Sequence, residues 1–125
     1  MNPHTKNFAA SGAVGHRRLV KFTATDGVLA LATAPTDLIA GVSDCPGGVA
    51  DGQRFDVIQH GPAEVVAGGT IAPGASFTAG AAGAAFAAAP AAGVNNVVAG
   101  FTETGAVVGD FVRAFVQRGH IQGAA

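Results

Sequence analysis

Leu19-Val20-Lys21-Phe22-Thr23-Ala24-Thr25-Asp26-Gly27-Val28-Leu29-Ala30-Leu31-Ala32 is the stretch on which the fold turns. Apolar runs stand on both sides of Asp26-Gly27, and both of those residues tolerate the positive φ that tight hairpin turns require. The stretch predicts two antiparallel strands joined by that turn. Downstream, Arg54-Phe55-Asp56-Val57-Ile58-Gln59-His60 alternates over most of its length, with Phe55 and Val57 on one face and Arg54, Asp56 and His60 on the other. Shorter strands are expected at 38–42 and 63–67, and a loop runs from Ser43 to Gly52. In the Gly- and Ala-rich second half, candidate strands lie near 75–78, 84–88, 97–102 and 110–117. Within the last of these, Phe111 and Phe115 face one way while Val112, Ala114 and Val116 face the other. A strand apolar on both faces is usually covered on both, so one face is expected to meet another subunit. An Ala-rich run could be helical, but Gly80, Gly83, Pro90 and Gly93 limit any helix there to a turn or two.

Composition agrees with an all-β chain. The 125 residues suit one compact domain. With 19 Gly and 6 Pro, short strands and tight turns are favoured over long helices. Charged residues make up only 12% and the net charge is -1, so the chain carries no electrostatic footprint for nucleic acid or an anionic membrane. A surface so poor in charge points towards assembly with other protein. The start, Met1 to Lys6, lacks the apolar stretch of a secretory signal, and the Ala-rich tract is too interrupted to span a bilayer. The expectation is a soluble protein made in the cytoplasm. Residues 1–13 read as a polar N-terminal arm with Phe8 as its one large apolar side chain, and residues 14–125 as a single β domain.

The two halves of that domain echo one another. Phe22-Thr23-Ala24 leads through Gly27 to Ala34-Pro35, then to Ile39-Ala40-Gly41-Val42-Ser43-Asp44 and to Gly52 before Phe55. Phe77-Thr78-Ala79 leads through Gly83 to Ala89-Pro90, then to Val98-Ala99-Gly100-Phe101-Thr102-Glu103 and to Gly109 before Phe111. These marks place pseudo-repeats at about 14–67 and 68–118. Each copy would be a β-meander too small to bury its own apolar face. Pairing the two closes a shared core as a small barrel or sandwich.

The string Ile39-Ala40-Gly41-Val42-Ser43-Asp44, followed by Gly52 to Val57 and Gly61-Pro62-Ala63-Glu64-Val65, resembles the capsid decoration (cement) proteins of tailed bacteriophages. Arg18 to Gly27 is similar to the early hairpin of that family, and Gly109-Asp110 opening a final apolar strand is similar to its close. The resemblance implies a β-rich, non-enzymatic subunit on the outer surface of the virion. It implies a homotrimer at threefold or quasi-threefold points that clamps neighbouring subunits of the major capsid protein. Lambda-type decoration proteins do the same job with a β-clip, and Gly69 to Gly74 would suit that alternative architecture. The N-terminal part, with its basic His16-Arg17-Arg18, is longer than the family's. A clamp of this kind works by multiplying modest contacts, and an extended arm can add a strand to a neighbour's sheet edge. Phe8, Arg17, Arg18, Phe111 and Phe115 are the candidate contacts to the capsid or to other subunits. A head-fibre base or a glycan-binding β-domain is the alternative, the latter weakened because the chain has no Trp and no Tyr to serve as sugar platforms.

Catalytic chemistry finds little support in these residues. Cys45 between Asp44 and Pro46, with His60 downstream, shows no sign of the base and orienting group that a thiol nucleophile needs. His4, His16, His60 and His120 lack metal-ligand spacing. Asp44, Asp51 and Asp56 lack the dense oxygen spacing of a calcium loop. No metal, no cofactor, no nucleic acid, no membrane and no enzymatic activity are therefore expected.

Overall fold

In the computed structural model, which describes residues 4–89, 92 and 95–122, the chain forms nine strands. In chain order they are β1 (His4–Ser11), β2 (Leu19–Phe22), β3 (Val28–Leu31), β4 (Ile39–Asp44), β5 (Arg54–Val66), β6 (Ser76–Ala79), β7 (Ala85–Ala87), β8 (Asn95–Thr102) and β9 (Phe111–Gln122). The Asp26-Gly27 turn forms with Gly27 at φ 76° and sets Val20 opposite Leu31 and Phe22 opposite Leu29. Among the described residues of the Ala-rich tract, the helical part is a single 3-10 turn, Ala81–Gly83, between β6 and β7.

Strand order departs from the simple meander that the sequence suggests. β4 pairs with β2 rather than with β3, and β8 pairs with β6 rather than with β7. In the first half the reason is the connection after β3. The Asp37 carboxylate accepts the Thr33 and Ala34 N–H groups at 2.9 and 3.1 Å, folding a turn around Pro35 that carries the chain back past β3.

A second departure concerns the arm. Its described part, from His4 onward, is extended, but its strand partners belong to its own chain. β1 runs antiparallel to the first half of β5, from His4 opposite His60 to Ala9 opposite Arg54, and parallel to β3. Asn7 donates to the Asp56 carboxylate at 3.1 Å across that pairing. Strands β1-β3-β2-β4-β5 thereby close on themselves as a five-stranded barrel. Closure removes the edges that an open sheet would expose.

β5 is one strand where the sequence suggests two. Gly61 takes φ 108°, which glycine adopts without a Cβ penalty, and pairing continues through Pro62. The strand changes partners at this point: residues up to His60 pair with β1 and β4, and Gly61 to Val66 pair with β9. The second half then repeats the first, with β6, β7, β8 and β9 paired as β2, β3, β4 and β5 are. The end of β5 stands in for β1, down to a parallel bridge from Ala67 to Ala85 that mirrors the parallel β1–β3 pair. Pairing thus sets the junction of the two halves at Gly61, inside a strand, and makes β1 part of the first.

The repeated Ala-Gly step has a steric cause. A Cβ on Gly41 of β4 would lie 2.2 Å from the Ile58 carbonyl oxygen, and one on Gly100 of β8 would lie 2.1 Å from that of Phe115. Both glycines sit where their strand shifts register and presses on the next. Two apolar clusters fill the fold. One lies in the first barrel, around Val14, Val20, Leu29, Phe55 and Val57. The larger lies in the second half around Ile71, Phe77, Val112 and Val116, and it takes in Leu19, Ile39 and Val42 from the first. β2 therefore serves both, with Leu19 and Val20 fully buried on opposite faces.

Candidate interaction surface

On β9, side chains alternate between core and surface. Val112, Ala114 and Val116 are buried, while Phe111 is 56% exposed and Phe115 half-buried. The inner face is covered by the chain itself, and the outer face is the one left open. Cross-strand register extends that outer face over three strands. Pro62 and Glu64 of β5 stand opposite Phe115 and Arg113, and Phe101 of β8 stands opposite Phe115 on the other side.

The aromatic side chains on this face meet. Phe101, itself 39% exposed, stacks on Phe115 with ring centroids 5.7 Å apart, and His60 meets Phe115 edge-on at 5.2 Å. Such pairs add about 0.5–1.5 kcal/mol beyond their area and hold the rings in fixed orientations. At the other end, the Arg17 guanidinium lies 4.7 Å over the Phe111 ring and forms an ion pair with Glu64 at 3.2 Å. Arg17 reaches there because its backbone adopts φ 60°, the left-handed region, in the turn before β2. A partly exposed pair of this kind is worth roughly 1 kcal/mol or less, so it orients Phe111 more than it stabilises the fold.

Of the five candidate contacts, the structure brings Arg17, Phe111 and Phe115 onto this one face. Phe8 and Arg18 lie elsewhere. Phe8 stands opposite Phe55 in the β1–β5 pairing and packs against the core of the first barrel. Arg18 is turned inward on its own chain: its N–H donates to the Ser43 hydroxyl at 3.0 Å and its guanidinium to the Ala82 carbonyl at 3.2 Å. Phe101 and His60 are members that the sequence did not mark as contacts. The alternation of β9 signals its own outer face, but partners on β5 and β8 emerge only from the register.

Cys45 is buried, and burial raises its thiol pKa, with a hydrogen bond to Ser43 pulling the other way and the Asp44 carboxylate adding to the rise. His16, the nearest imidazole, accepts the Cys45 backbone N–H at 3.0 Å on Nδ1 and does not engage the sulfur. Among the described residues, no group of three or more His, Cys, Asp or Glu side chains is placed to hold a metal ion, and no helix is long and apolar enough to cross a membrane. No buried side-chain nitrogen or oxygen among them lacks a hydrogen-bond partner.

A closed five-stranded barrel and a second sheet that repeats its pairing, fused through a common strand and with one aromatic sheet face left open, define the class of molecule. The fold is similar to the crystal structure of the head fiber gp8.5 N base in bacteriophage phi29, with a TM-score of 0.70 and 21% sequence identity over 93% of this chain and 95% of that chain. No protein-family model and no curated protein matches the sequence.

Proposed function

We propose that this chain is a structural subunit of a bacteriophage virion, carried on the outside of the head. The observation that carries the reading is the likeness to the phi29 head-fiber base, which extends over nearly the whole of both chains rather than over one shared motif. It agrees with the decoration-protein resemblance of the sequence around Ile39 to Val65, a separate line of argument. The partner on this reading is the major capsid protein, met through the open face of Phe101, Phe111 and Phe115, and the protein acts as a homo-oligomer, a trimer at threefold positions. Aromatic side chains held in fixed rotamers lose little entropy when a partner covers them, and several copies bound to one shell gain through effective concentration. The chain works without catalysis, cofactor, nucleic acid or membrane.

Two forms of this role differ in what the subunit carries. As a cement protein it ends at the shell and stabilises it. As a fibre base it presents further protein outward, and the phi29 likeness favours this second form. The deciding experiment adds purified protein to undecorated heads and images them by cryo-electron microscopy. Ordered density on the outer shell at threefold or quasi-threefold positions is the expected result; bare shells at saturating protein would overturn the proposal. Heads that resist heat better once loaded would indicate the cement role, and unchanged heat resistance the fibre base.

A further inference from the structure

Val108 and Leu38 are 70% and 62% exposed, more than any other large apolar side chain among the described residues. They belong to two features at opposite ends of the β8–β9 hairpin. The first is the turn between the strands. It presents Val107 and Val108 to solvent, with exposed Glu103 and Asp110 on either side. The turn is held rigid: Val107 N–H donates to the Asp110 carboxylate at 3.1 Å, Gly109 N–H to the Ala67 carbonyl at 2.9 Å, and Ala106 and Ile71 exchange two backbone bonds.

The second feature is a groove of about 320 Å³ at the far end of the same hairpin, room for the side chains of one turn. Its floor is Ile39 and Val97, its apolar walls are Phe22 and Leu38, and its polar lining is Arg118 and His120. Arg118 lies 5.8 Å over the Phe22 ring and donates to the Ile39 carbonyl at 3.5 Å. The acid beside Leu38, Asp37, already serves Thr33, Ala34 and, at 3.8 Å, Lys21. The groove is thus apolar with a cationic side, and the turn is apolar with acidic flanks. Arg113, across the ladder from Glu103, offsets part of that acidity and leaves Asp110 as its main source.

We propose that the Val107-Val108 turn of one copy docks in the Phe22-Leu38-Arg118 groove of the next, a head-to-tail contact between identical chains. The inference rests on the homo-oligomer part of the proposed function and names its interface. A chain cannot satisfy its own groove, because the seven residue steps from Phe111 to Arg118 separate the two features by on the order of 23 Å. Contacts of this heterologous kind close into rings or run on as filaments, and a trimer requires closure at three copies. A rigid turn loses little conformational freedom on docking. In a closed ring each copy makes the contact twice, so a modest single contact suffices.

Cysteine cross-linking tests the contact on the full chain in a Cys45→Ala background, with a short bis-maleimide reagent, both free in solution and on undecorated heads. Circular dichroism first checks that each variant is folded; both test sites are exposed. Val108→Cys alone and Leu38→Cys alone are expected to give no covalent dimer, because each pairs a reactive thiol with an unmodified partner. Their equal mixture is expected to give a covalent dimer, and a chain carrying both changes a ladder that ends in one closed species. If the mixture cross-links no more than Val108→Cys mixed with Asp26→Cys, a hairpin-tip control, in solution and on heads alike, the interface is wrong. Cross-linking of either single variant to itself also overturns it, because that requires a twofold contact. Heads that load normally without the mixed cross-link would remove this interface and keep the virion role; the cross-link in solution with bare heads would do the opposite.

Discussion

Replacing Gly100 by alanine puts a methyl group where the structure has no room. The new Cβ would lie 2.1 Å from the Phe115 carbonyl oxygen, 3.0 Å from its carbon and 3.1 Å from the Gln117 nitrogen, all backbone atoms that no rotamer change can move. Relief requires β8 and β9 to part by roughly 1 Å locally. Ladder bonds with a usual length near 2.9 Å then stretch to about 4 Å and no longer count. Losing two such bonds inside a covered sheet costs about 2–4 kcal/mol. The stiffer unfolded chain of the alanine variant returns about 0.4–1 kcal/mol. The expected net loss is about 2–3 kcal/mol, a large part of the roughly 5–15 kcal/mol that a domain possesses. For a chain of this size that lowers Tm by roughly 6–12 °C. Urea and thermal unfolding followed by circular dichroism measure it, with Gly119→Ala as control: that glycine lies in the same strand pair, and its Cβ would meet nothing within 4 Å. Gly41→Ala, against the Ile58 carbonyl, should behave like Gly100→Ala. A Gly100→Ala protein within about 0.5 kcal/mol of wild type would refute the steric account of the Ala-Gly repeat.

Other consequences can be checked with the same material. Phe111→Asp should lower stability by no more than roughly 1 kcal/mol, the scale of the ring's exposed contact with Arg17, yet abolish loading onto undecorated heads in a pelleting assay. Arg17→Ala should lower stability by roughly 0.5–1.5 kcal/mol through loss of the ion pair and the contact with Phe111; a denaturant midpoint that is unmoved at low salt would count against that pairing. Cys45 should react with a chromogenic disulfide reagent far more slowly in the folded protein than in urea, since burial keeps it in the thiol form. Its folded pKa lies above the ordinary 9.0, so the folded state holds that proton longer. The thiol's contribution to stability is therefore full below the unfolded pKa and fades as pH rises through the folded one. An unfolding free energy for wild type that falls no faster than that of Cys45→Ala above that unfolded value would contradict this.

Local signals carried the fold wherever they were strong. Asp26-Gly27 named its hairpin outright, and the alternation from Arg54 identified a strand and its two faces. The strand from Phe111 was legible too, but with apolar residues on both faces the sequence left open which one the chain itself buries. Gly61-Pro62 misled, because a pair that ordinarily breaks a strand here only redirects one: Gly61 turns the backbone while pairing passes on to β9. The arm misled for a different reason. His4 to Asn7 are polar and exposed, as a free end would be, and only the two-sided pairing with β3 and β5 reveals a barrel strand. Phe86 gave no sign that it would rest against Gly68 and Gly80, whose hydrogen side chains leave space for its ring. The open face was half legible, since one strand's parity displays Phe111 and Phe115, whereas Phe101 and His60 join them only through long-range register.

Gly61 lies within β5, the longest strand among the described residues, and the barrel and the second sheet both use that strand as a wall. Neither can melt without unzipping part of the other, and among the described residues no linker lies between them at which heat, denaturant or a protease could divide them. Calorimetry should accordingly record one transition, its van't Hoff and calorimetric enthalpies equal, from a chain that looks on paper like two domains. On the proposed reading, as a part carried on the outside of a virion, such a chain offers a protease no half-open form: the molecule is either whole or gone.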